Sequence, residues 1–486
     1  MEQVANPAKK KWELSRTLIW VSFVSCFLSA QYGCNVWILY SPSELMQDYY
    51  NVTSEGMGNS SQLFIIGISL ALFPLGGIFG SLAVGYLVDR FGRKGALMIT
   101  DVLSIISAVL MGCTSLVKAY RFSMFARLYV GMCTGIISSV VPLYLGEISP
   151  RSVRGAVIIL SQLLFTIGIL FIQMLSLNEV WGNLKGWPFL KSLPGILPLC
   201  QILLLPFFPE SPRYLFIQRK DEESARQALK KLRERDDVED EIEELRQEDL
   251  AEKAEKKMNP LKLLMTQSLR LQVSSVLVLM TGEQLTGANV AYYYTDRIYQ
   301  AANVETHNVR LISIGSSAFL TFAQMLGMYL VDAKGRKVVL LIGFGLCSIM
   351  CVLLTMTLEI QVTIPEFVYL SAFFVETFLF GHSFGPNAVP PVLVVELFLQ
   401  STRSSAFVIS GFVQWLIHFL IGVTFLHVET IIGAYSFLIF WPMTVATCLY
   451  IFKIIPETKN RTFLDIRRLM AIKMAGKIQV KRQMGK

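Results

Sequence analysis

Residues 86–94 read Y-L-V-D-R-F-G-R-K, and residues 329–337 read Y-L-V-D-A-K-G-R-K. The second stretch begins 243 residues after the first, which is half the length of the chain. Two further pairs recur in the same order at nearly the same spacing: Glu147-x6-Arg154 with Glu396-x6-Arg403, and Pro209-Glu210-Ser211 with Pro456-Glu457-Thr458. Three ordered matches at nearly equal spacings predict two homologous halves.

The composition indicates that these halves lie in a membrane. Of the 486 residues, 53% are hydrophobic and 16% are charged, and the mean hydropathy is +0.51. A soluble domain carries about 25% charged residues, so this chain has too little polar surface for a soluble enzyme. Apolar stretches long enough for a helix to cross hydrocarbon, about 20 residues, occur about twelve times. They lie at 17–39, 62–88, 95–117, 122–146, 155–178, 187–208, 271–299, 308–332, 337–359, 366–394, 404–426 and 430–454.

Each stretch is expected to be helical, because lipid cannot satisfy an unpaired backbone group. We therefore predict an all-α polytopic membrane protein with twelve transmembrane helices in two pseudo-symmetric six-helix halves. Duplicated halves around a site at the bilayer midplane are typical of secondary transporters. The predicted parts are an N-terminal segment 1–16, a six-helix bundle 17–208, a helical linker 209–270, a second six-helix bundle 271–455 and a basic tail 456–486.

The positions of Lys and Arg predict the orientation. Basic residues precede the first stretch and follow the second, fourth, eighth and tenth, whereas the loop 40–61 contains none. Since cytosolic loops carry the excess of Lys and Arg, both termini are predicted to be cytosolic. The net charge of +8 is thus a topology signal, and no nucleic-acid partner is expected.

The segment 219–257 between the halves contains 26 charged residues among 39. Its apolar residues, among them Leu229, Leu232, Ile242 and Leu245, recur at helical spacing. This pattern predicts short amphipathic cytosolic helices, with a solvated linker as the alternative.

The loop 40–61 contains two candidate glycosylation sites, and the cysteines do not follow the pattern of a disulfide framework. The loop 40–61 carries the N-glycosylation sequons Asn51-Val52-Thr53 and Asn59-Ser60-Ser61, and we favour Asn51 because it lies farther from the bilayer. All eight cysteines fall within predicted spans, so we interpret them as packing residues and predict no disulfide framework.

The repeated motifs lie at the cytosolic ends of helices, where Asp or Glu can pair with Arg of a neighbouring helix. Such pairs would close an inner gate in one state and separate in another, for which a bias of about a few kcal/mol suffices. Anchoring of loops by positive charge is the alternative, and it leaves the carboxylates unexplained. The predicted gate network is Asp89, Arg93, Glu147, Arg154, Glu210, Arg213, Asp332, Arg336, Glu396, Arg403 and Glu457.

Several stretches carry a family likeness. They are G-Y-L-V-D-R-F-G-R-K (85–94), Y-L-G-E-I-S-P-R-S-V-R-G (144–155), P-E-S-P-R-Y-L (209–215), E-Q-L-T-G-A-N (283–289) and P-E-T-K-N-R-T-F (456–463). Over residues 12–465 the chain resembles the sugar porter family, a branch of the major facilitator superfamily. F-G-H-S-F-G-P (380–386) and Pro391, where glucose-type members usually have Trp, are similar to the fructose-type facilitative hexose transporters. The resemblance implies the major facilitator fold and hexose transport by alternating access.

Polar and aromatic side chains inside the predicted spans indicate a sugar cavity. A sugar needs amide and hydroxyl partners and a few aromatic faces, although each such residue also has interhelical packing as an alternative role. The family resemblance implies substrate contacts at some of these positions and a segment at 291–293 that closes over the sugar. The predicted substrate-binding residues are Tyr32, Gln162, Gln284, Asn289, Ala291, Tyr292, Tyr293, His382, Gln414 and Trp415.

Three positions depart from the family pattern. Glu283 stands where Gln is usual, Leu320 where helix eight usually has Asn, and Gln414 where the most similar relatives tend to have His. A carboxyl group inside a bilayer is costly and is functional by default. Glu283 either stays protonated and donates a hydrogen bond, or is ionised and alters substrate choice or couples transport to protons. Asn35, which cannot titrate, stands near the Asp of proton-linked sugar porters and argues against proton coupling.

The predicted function is facilitative uniport of a hexose, with fructose as the expected sugar, by a monomer in the plasma membrane. Its predicted partners are the sugar and the lipid bilayer. The alternatives are a proton-coupled or different-solute transporter, for example of urate, and a non-transporting sugar sensor. An enzyme, a metal site or a cofactor is not expected, because the sequence has no G-x-x-x-x-G-K, no metal-ligand cluster and no plausible Ser/His/Asp set.

Overall fold

The computed structural model describes residues 14–40, 59–117, 119–177, 179–183, 185–253, 258–302 and 304–484. These residues form helices and their connections, and no strand occurs among them. The predicted glycosylation site, Asn51, lies outside the described residues. All eight cysteines are described and free, and five are buried: Cys26, Cys34, Cys133, Cys347 and Cys351.

The first half and the linker contain the first ten α-helices. They are α1 (Arg16–Ser25), α2 (Phe27–Tyr40), α3 (Asn59–Val117), α4 (Tyr120–Ile148), α5 (Arg154–Leu175), α6 (Trp187–Ser192), α7 (Ile196–Leu204), α8 (Glu222–Arg233), α9 (Glu239–Lys253) and α10 (Pro260–Met265). Short 3-10 turns at Leu193–Gly195 and Leu205–Phe207 flank α7, and a π-helical turn at Tyr214–Gln218 precedes α8.

The second half and the tail contain the rest. They are α11 (Arg270–Gln284), α12 (Ala288–Ala301), α13 (Thr306–Ala333), α14 (Arg336–Ile360), α15 (Phe367–His382), α16 (Pro390–Leu397), α17 (Gln400–Ile432), α18 (Ser436–Lys453) and α19 (Phe463–Met484). A π-helical turn, Ser383–Asn387, connects α15 to α16.

Ten helices among the described residues are long and apolar enough to cross a membrane. One of them spans Ile68–Val117 and is broken at Gly92, where φ is 79°. The α11–α12 pair is broken at Gly287, where φ is 92°. Twelve crossings require the helix Ile68–Val117 to cross the membrane twice and the α11–α12 pair to cross it once. The all-α membrane fold is confirmed, and twelve stays the predicted number of crossings.

The breaks follow from local chemistry. Gly287 adopts a left-handed conformation that a residue with a Cβ rarely takes, so α11 stops three residues before it and α12 starts after it. Pro386 lies inside the π-helical turn and Pro390 opens α16, because proline lacks the amide donor that an α-helix interior needs. These interruptions lie in the second half, where residues 286–288 and 383–386 are buried.

The two halves meet along long helices. In the first half α3 packs on α4, where Gly76 and Gly131 allow the two backbones to approach closely. Across the halves, α17 packs on α3, and α13 packs on α5. The linker helices α8 and α9 add a separate apolar cluster that includes Phe216, Leu229 and Ile242. The predicted amphipathic helices are therefore present, and their apolar sides are buried.

Replacing Gly335 with Ala is expected to destabilise the protein. Gly335 has φ of 105°, and a Cβ there would collide with the Glu457 carboxylate. A non-glycine residue held in such a conformation costs about 1–3 kcal/mol. We expect a lower midpoint of thermal unfolding in detergent. Gly345→Ala is the control, because a Cβ at Gly345 meets no atom within 4 Å. Equal midpoints for the two variants would contradict the prediction.

Candidate functional site

The repeated motifs meet at one end of the helix bundle, which we call the motif end and define by Arg93, Glu147, Arg336 and Glu396. All four side chains are buried, with at most 2% of their surface exposed. A buried charge is tolerated only when it is paired and hydrogen-bonded, so their contacts determine how this end is held together.

In the first half, Arg93 makes a two-pronged pair with Glu147. Its Nε donates to Glu147 Oε2 at 2.9 Å and its Nη2 to Glu147 Oε1 at 3.1 Å. Ser211 Oγ donates to the same carboxylate. Glu210 accepts from the backbone N–H groups of Arg93 at 3.2 Å and Lys94 at 3.1 Å. Both glutamates of the first-half motifs thus have defined donors.

The second half repeats this arrangement. Arg336 Nη2 donates to Glu396 Oε1 at 2.8 Å, and Thr458 Oγ1 also donates to Glu396. Glu457 accepts from the backbone N–H groups of Arg336 at 2.9 Å and Lys337 at 3.1 Å. The sequence repeat therefore corresponds to a repeat of these contacts at the motif end. The two halves differ at one nitrogen, because Arg336 Nη1 donates to Asp332 Oδ1 at 2.9 Å whereas Arg93 Nη1 donates to Gln218 Oε1 at 3.3 Å.

Contacts between charged groups of one half and the other half also occur at the motif end. Arg403 Nη1 lies 3.4 Å from Glu147 Oε1, and neither side chain is exposed. Asp332 Oδ2 accepts from the backbone N–H of Ala156 at 2.9 Å. These contacts join α17 to α4 and α13 to α5 at the motif end. Of the predicted gate carboxylates, Glu147 and Glu396 pair with an arginine of a neighbouring helix, whereas Glu210 and Glu457 accept from backbone N–H groups.

Two other predicted gate residues have different contacts. Asp89 accepts from Ser404 Oγ of the second half at 3.3 Å. Arg154 is buried, and its Nε and Nη2 have no hydrogen-bond partner among the described residues. Its guanidinium lies over the ring of Phe463, 4.2 Å from the centroid. Sequence reasoning missed Phe463, although it ends the motif quoted at 456–463.

The linker helix α9 reaches into this network. Arg213 lies 3.4 Å from Glu248 and 3.6 Å from Glu244. Burial by itself would lower the pKa of Arg213, but Glu248 and Glu244 raise it above its ordinary value, so the side chain stays charged. Glu252 accepts from the backbone N–H of Ser401 at 3.0 Å, and burial raises the pKa of Glu252 to about 7. Arg213 Nη1 also donates to the backbone carbonyl of Glu147 at 3.1 Å, so the linker contacts both halves.

Away from the motif end, Trp415 of α17 inserts into the first half. Only 3% of its surface is exposed. Its ring centroid lies 5.6 Å from that of Phe73 and 6.2 Å from that of Tyr32, and its Nε1 lies 3.4 Å from Ser138 Oγ. The ring also lies directly against Gly77, where a Cβ would collide with it. Two predicted substrate residues, Tyr32 and Trp415, are therefore neighbours across the halves.

Two of the departures from the family pattern, Glu283 of α11 and Gln414 of α17, contact each other. Gln414 Nε2 donates to Glu283 Oε1 at 3.2 Å, and Gln284 Nε2 lies 3.4 Å from the same oxygen. Glu283 is 4% exposed, and its Oε2 has no hydrogen-bond partner among the described residues. Beside the break, Thr286 Oγ1 lies 3.1 Å from His382 Nδ1. Four predicted residues thus converge around the break at Gly287.

The remaining predicted substrate residues are not drawn together by any described contact. Gln162 is half-buried, Asn289 is exposed, Ala291 is buried and Tyr292 is 50% exposed. The side chain of Tyr293 lies outside the described part of the structure.

Sequence reasoning also missed two carboxyl groups within helices. Asp101 is fully buried in α3, and neither of its oxygens has a hydrogen-bond partner among the described residues. Glu376 in α15 accepts from the hydroxyl of Tyr299 at 3.0 Å and from Ser316 Oγ. The rule that singled out Glu283, an acid within an apolar span, would have found both. Among the described residues, no three His, Cys, Asp or Glu side chains are grouped to hold a metal ion.

Comparisons with known proteins bear on the family. The family model described as "Sugar (and other) transporter" matches residues 21–470. The solute carrier family 2, facilitated glucose transporter member 5 of Rattus norvegicus is 43% identical over 471 residues, which are 96% of this chain and 94% of that protein. Member 7 of the same family from Homo sapiens is 42% identical over 468 residues, 95% of this chain and 91% of that protein.

Solved structures share the fold. The proton:xylose symporter of the major facilitator superfamily, bound to 6-bromo-6-deoxy-D-glucose, superposes with a TM-score of 0.82 at 22% identity, covering 93% of this chain and 99% of that chain. The inward-open conformation of the xylose transporter from E. coli gives a TM-score of 0.68 at 21% identity, with 93% and 99% covered.

The family match covers nearly the whole chain, and the relatives are as long as this chain within a few per cent. Transporters of this family move solutes and are not enzymes, which confirms the prediction against catalysis. The chain belongs to the sugar transporter family, the sugar porter branch of the major facilitator superfamily.

Proposed function

We propose that this protein is a facilitative hexose transporter, with fructose as its principal sugar, which works by alternating access between its two halves. The observation that carries the proposal is the buried contact of Arg403 with Glu147, which joins the halves at the motif end. A transporter needs such a contact in one state and must break it in another. A sugar sensor needs no element of this kind.

The motif end is proposed to face the cytosol of a plasma-membrane protein that acts as a monomer. The excess of Lys and Arg beside the repeated motifs supports this orientation. It puts both termini inside and the loop 40–61 outside, where Asn51 would carry a glycan.

The proposed sugar cavity lies between the halves, beyond the motif end. Tyr32 and Trp415 would supply aromatic faces, and Gln284, Gln414 and His382 would supply polar groups at the broken helices. The names of the relatives refer to facilitated glucose transport, and the solved neighbour holds a glucose derivative, which supports a hexose. Fructose in particular rests on the motif at 380–386 and on Pro391.

Glu283 is proposed to orient the sugar in the cavity and not to couple transport to protons. Two amide groups, of Gln414 and Gln284, point at one of its oxygens. The second oxygen is left to accept from a sugar hydroxyl. Asn35 stands where proton-linked relatives have a titratable group, which supports uniport over proton coupling.

Purified protein in liposomes is expected to exchange labelled fructose for unlabelled fructose without any ion gradient. Glucose should exchange more slowly, because the fructose-type motifs shape the cavity. An imposed pH gradient should not drive accumulation, since no proton is carried. Counterflow measures each of these directly. Absence of counterflow for every hexose tested would exclude the proposed function, and accumulation driven by pH would exclude uniport.

Trp415→Ala is expected to raise the half-saturation concentration for fructose about tenfold. Removal of one aromatic face and of a packed bulky side chain costs about 1.4 kcal/mol or more of binding. Trp20→Ala is the matched control, because Trp20 is 53% exposed on α1 and outside the cavity. Equal half-saturation concentrations for the two variants, measured as initial uptake rates, would remove Trp415 from the sugar site.

A further inference from the structure

We propose that Phe463 is a positioning residue of the gate, whose ring holds together three arginines from three parts of the chain while the motif end is closed. The guanidinium carbons of Arg154, Arg403 and Arg213 lie 4.2, 4.4 and 5.0 Å from the ring centroid. Arg154 begins α5 of the first half, Arg403 lies in α17 of the second half, and Arg213 precedes the linker helices.

The surroundings of the ring make these contacts strong. Phe463 and Arg154 are each 1% exposed, and Arg403 is not exposed at all. The attraction of a cation to an aromatic face is stronger when both are withdrawn from water. Arg154 depends on this face most, because two of its nitrogens have no hydrogen-bond partner among the described residues.

Hydrogen bonds on the N-terminal side of Phe463 hold its ring in position. Phe463 is the first residue of α19, and Thr462 Oγ1 before it accepts from the backbone N–H of Asp465 at 3.1 Å. Earlier in the tail, Glu457 accepts from the backbone N–H groups of Arg336 and Lys337. The ring is therefore anchored to the second half and reaches across to an arginine of the first.

The three contacts exist together only while the halves are joined. If the halves part at the motif end, Arg154 moves with the first half and Arg403 with the second, so one ring cannot remain over both. The ring thus stabilises the closed motif end and not the open one. This step rests on the proposed alternating access. The C-terminal segment that carries Phe463 is then a part of the gate.

The test compares Phe463→Leu with a series of fluorinated phenylalanines at the same position. Fluorination keeps the shape of the ring but progressively weakens its negative face, whereas Leu removes the face. In a uniporter, the ratio of maximal rate to half-saturation concentration is equal in both directions. Weakening the closed motif end shifts the protein toward the state that is open on the motif side. The half-saturation concentration should then fall when measured from the motif side and rise when measured from the opposite side, each severalfold. Phe189→Leu, at a ring that is 70% exposed, is the control.

A graded shift across the fluorinated series, in opposite senses on the two sides, is the expected result. Unchanged constants in that series would overturn the proposal, even if Phe463→Leu were impaired, because packing alone would then explain the loss. A second measurement needs no sugar: the rate at which an impermeant maleimide labels Ser401→Cys from the motif side should rise in Phe463→Leu. Absence of hexose flux in the unmodified protein would overturn the proposed function, whereas unchanged labelling would overturn the role of Phe463.

Discussion

The contact between the two halves at the motif end depends on the carboxylate of Glu147. It lies fully buried, paired on one side with Arg93 of its own half and on the other with Arg403 of the opposite half. A buried ion pair contributes little net stability, since the cost of desolvation nearly cancels the attraction, but breaking one partner away while the site stays dry is costly. Parting the halves admits water to both charges at once. The closed and hydrated states can therefore lie within a few kcal/mol, as alternation requires.

The duplication of the chain explains most of the motif end but not all of it. Arg93 with Glu147 corresponds to Arg336 with Glu396, and the acceptors of the backbone N–H groups correspond as well. The contacts between the halves are not repeated in the same way. Asp89 and Asp332 correspond, and each accepts from the opposite half, but Glu147 meets Arg403 whereas Arg154, the counterpart of Arg403, lies over Phe463. In the proposed gate, this asymmetry gives the two halves different roles, and Phe463, which comes from the tail, adds to one side of it.

Much of this architecture could be predicted from residue spacing because it depends on local patterns. Apolar length predicts the helices, and the repeated motifs predict the corresponding pairs. The contact between Glu283 and Gln414 could not be predicted, because the residues are far apart in sequence and come together only when α11 packs on α17. The position of Phe463 among three predicted gate arginines was missed for the same reason, since no spacing rule links a tail residue to three separate parts of the chain. Asp101 and Glu376 were missed although a rule for them existed.

The most direct test of the account is the distance between the halves at the motif end. Spin labels at Phe91 and Ala333, both exposed, report this distance in protein whose cysteines are replaced by serine and which retains transport. In the sugar-free protein the shorter distance should dominate, and Arg403→Ala should move the population toward the longer distance while Arg403→Lys moves it less. An unchanged distribution in Arg403→Ala would contradict the claim that the pair of Glu147 with Arg403 holds the motif end closed.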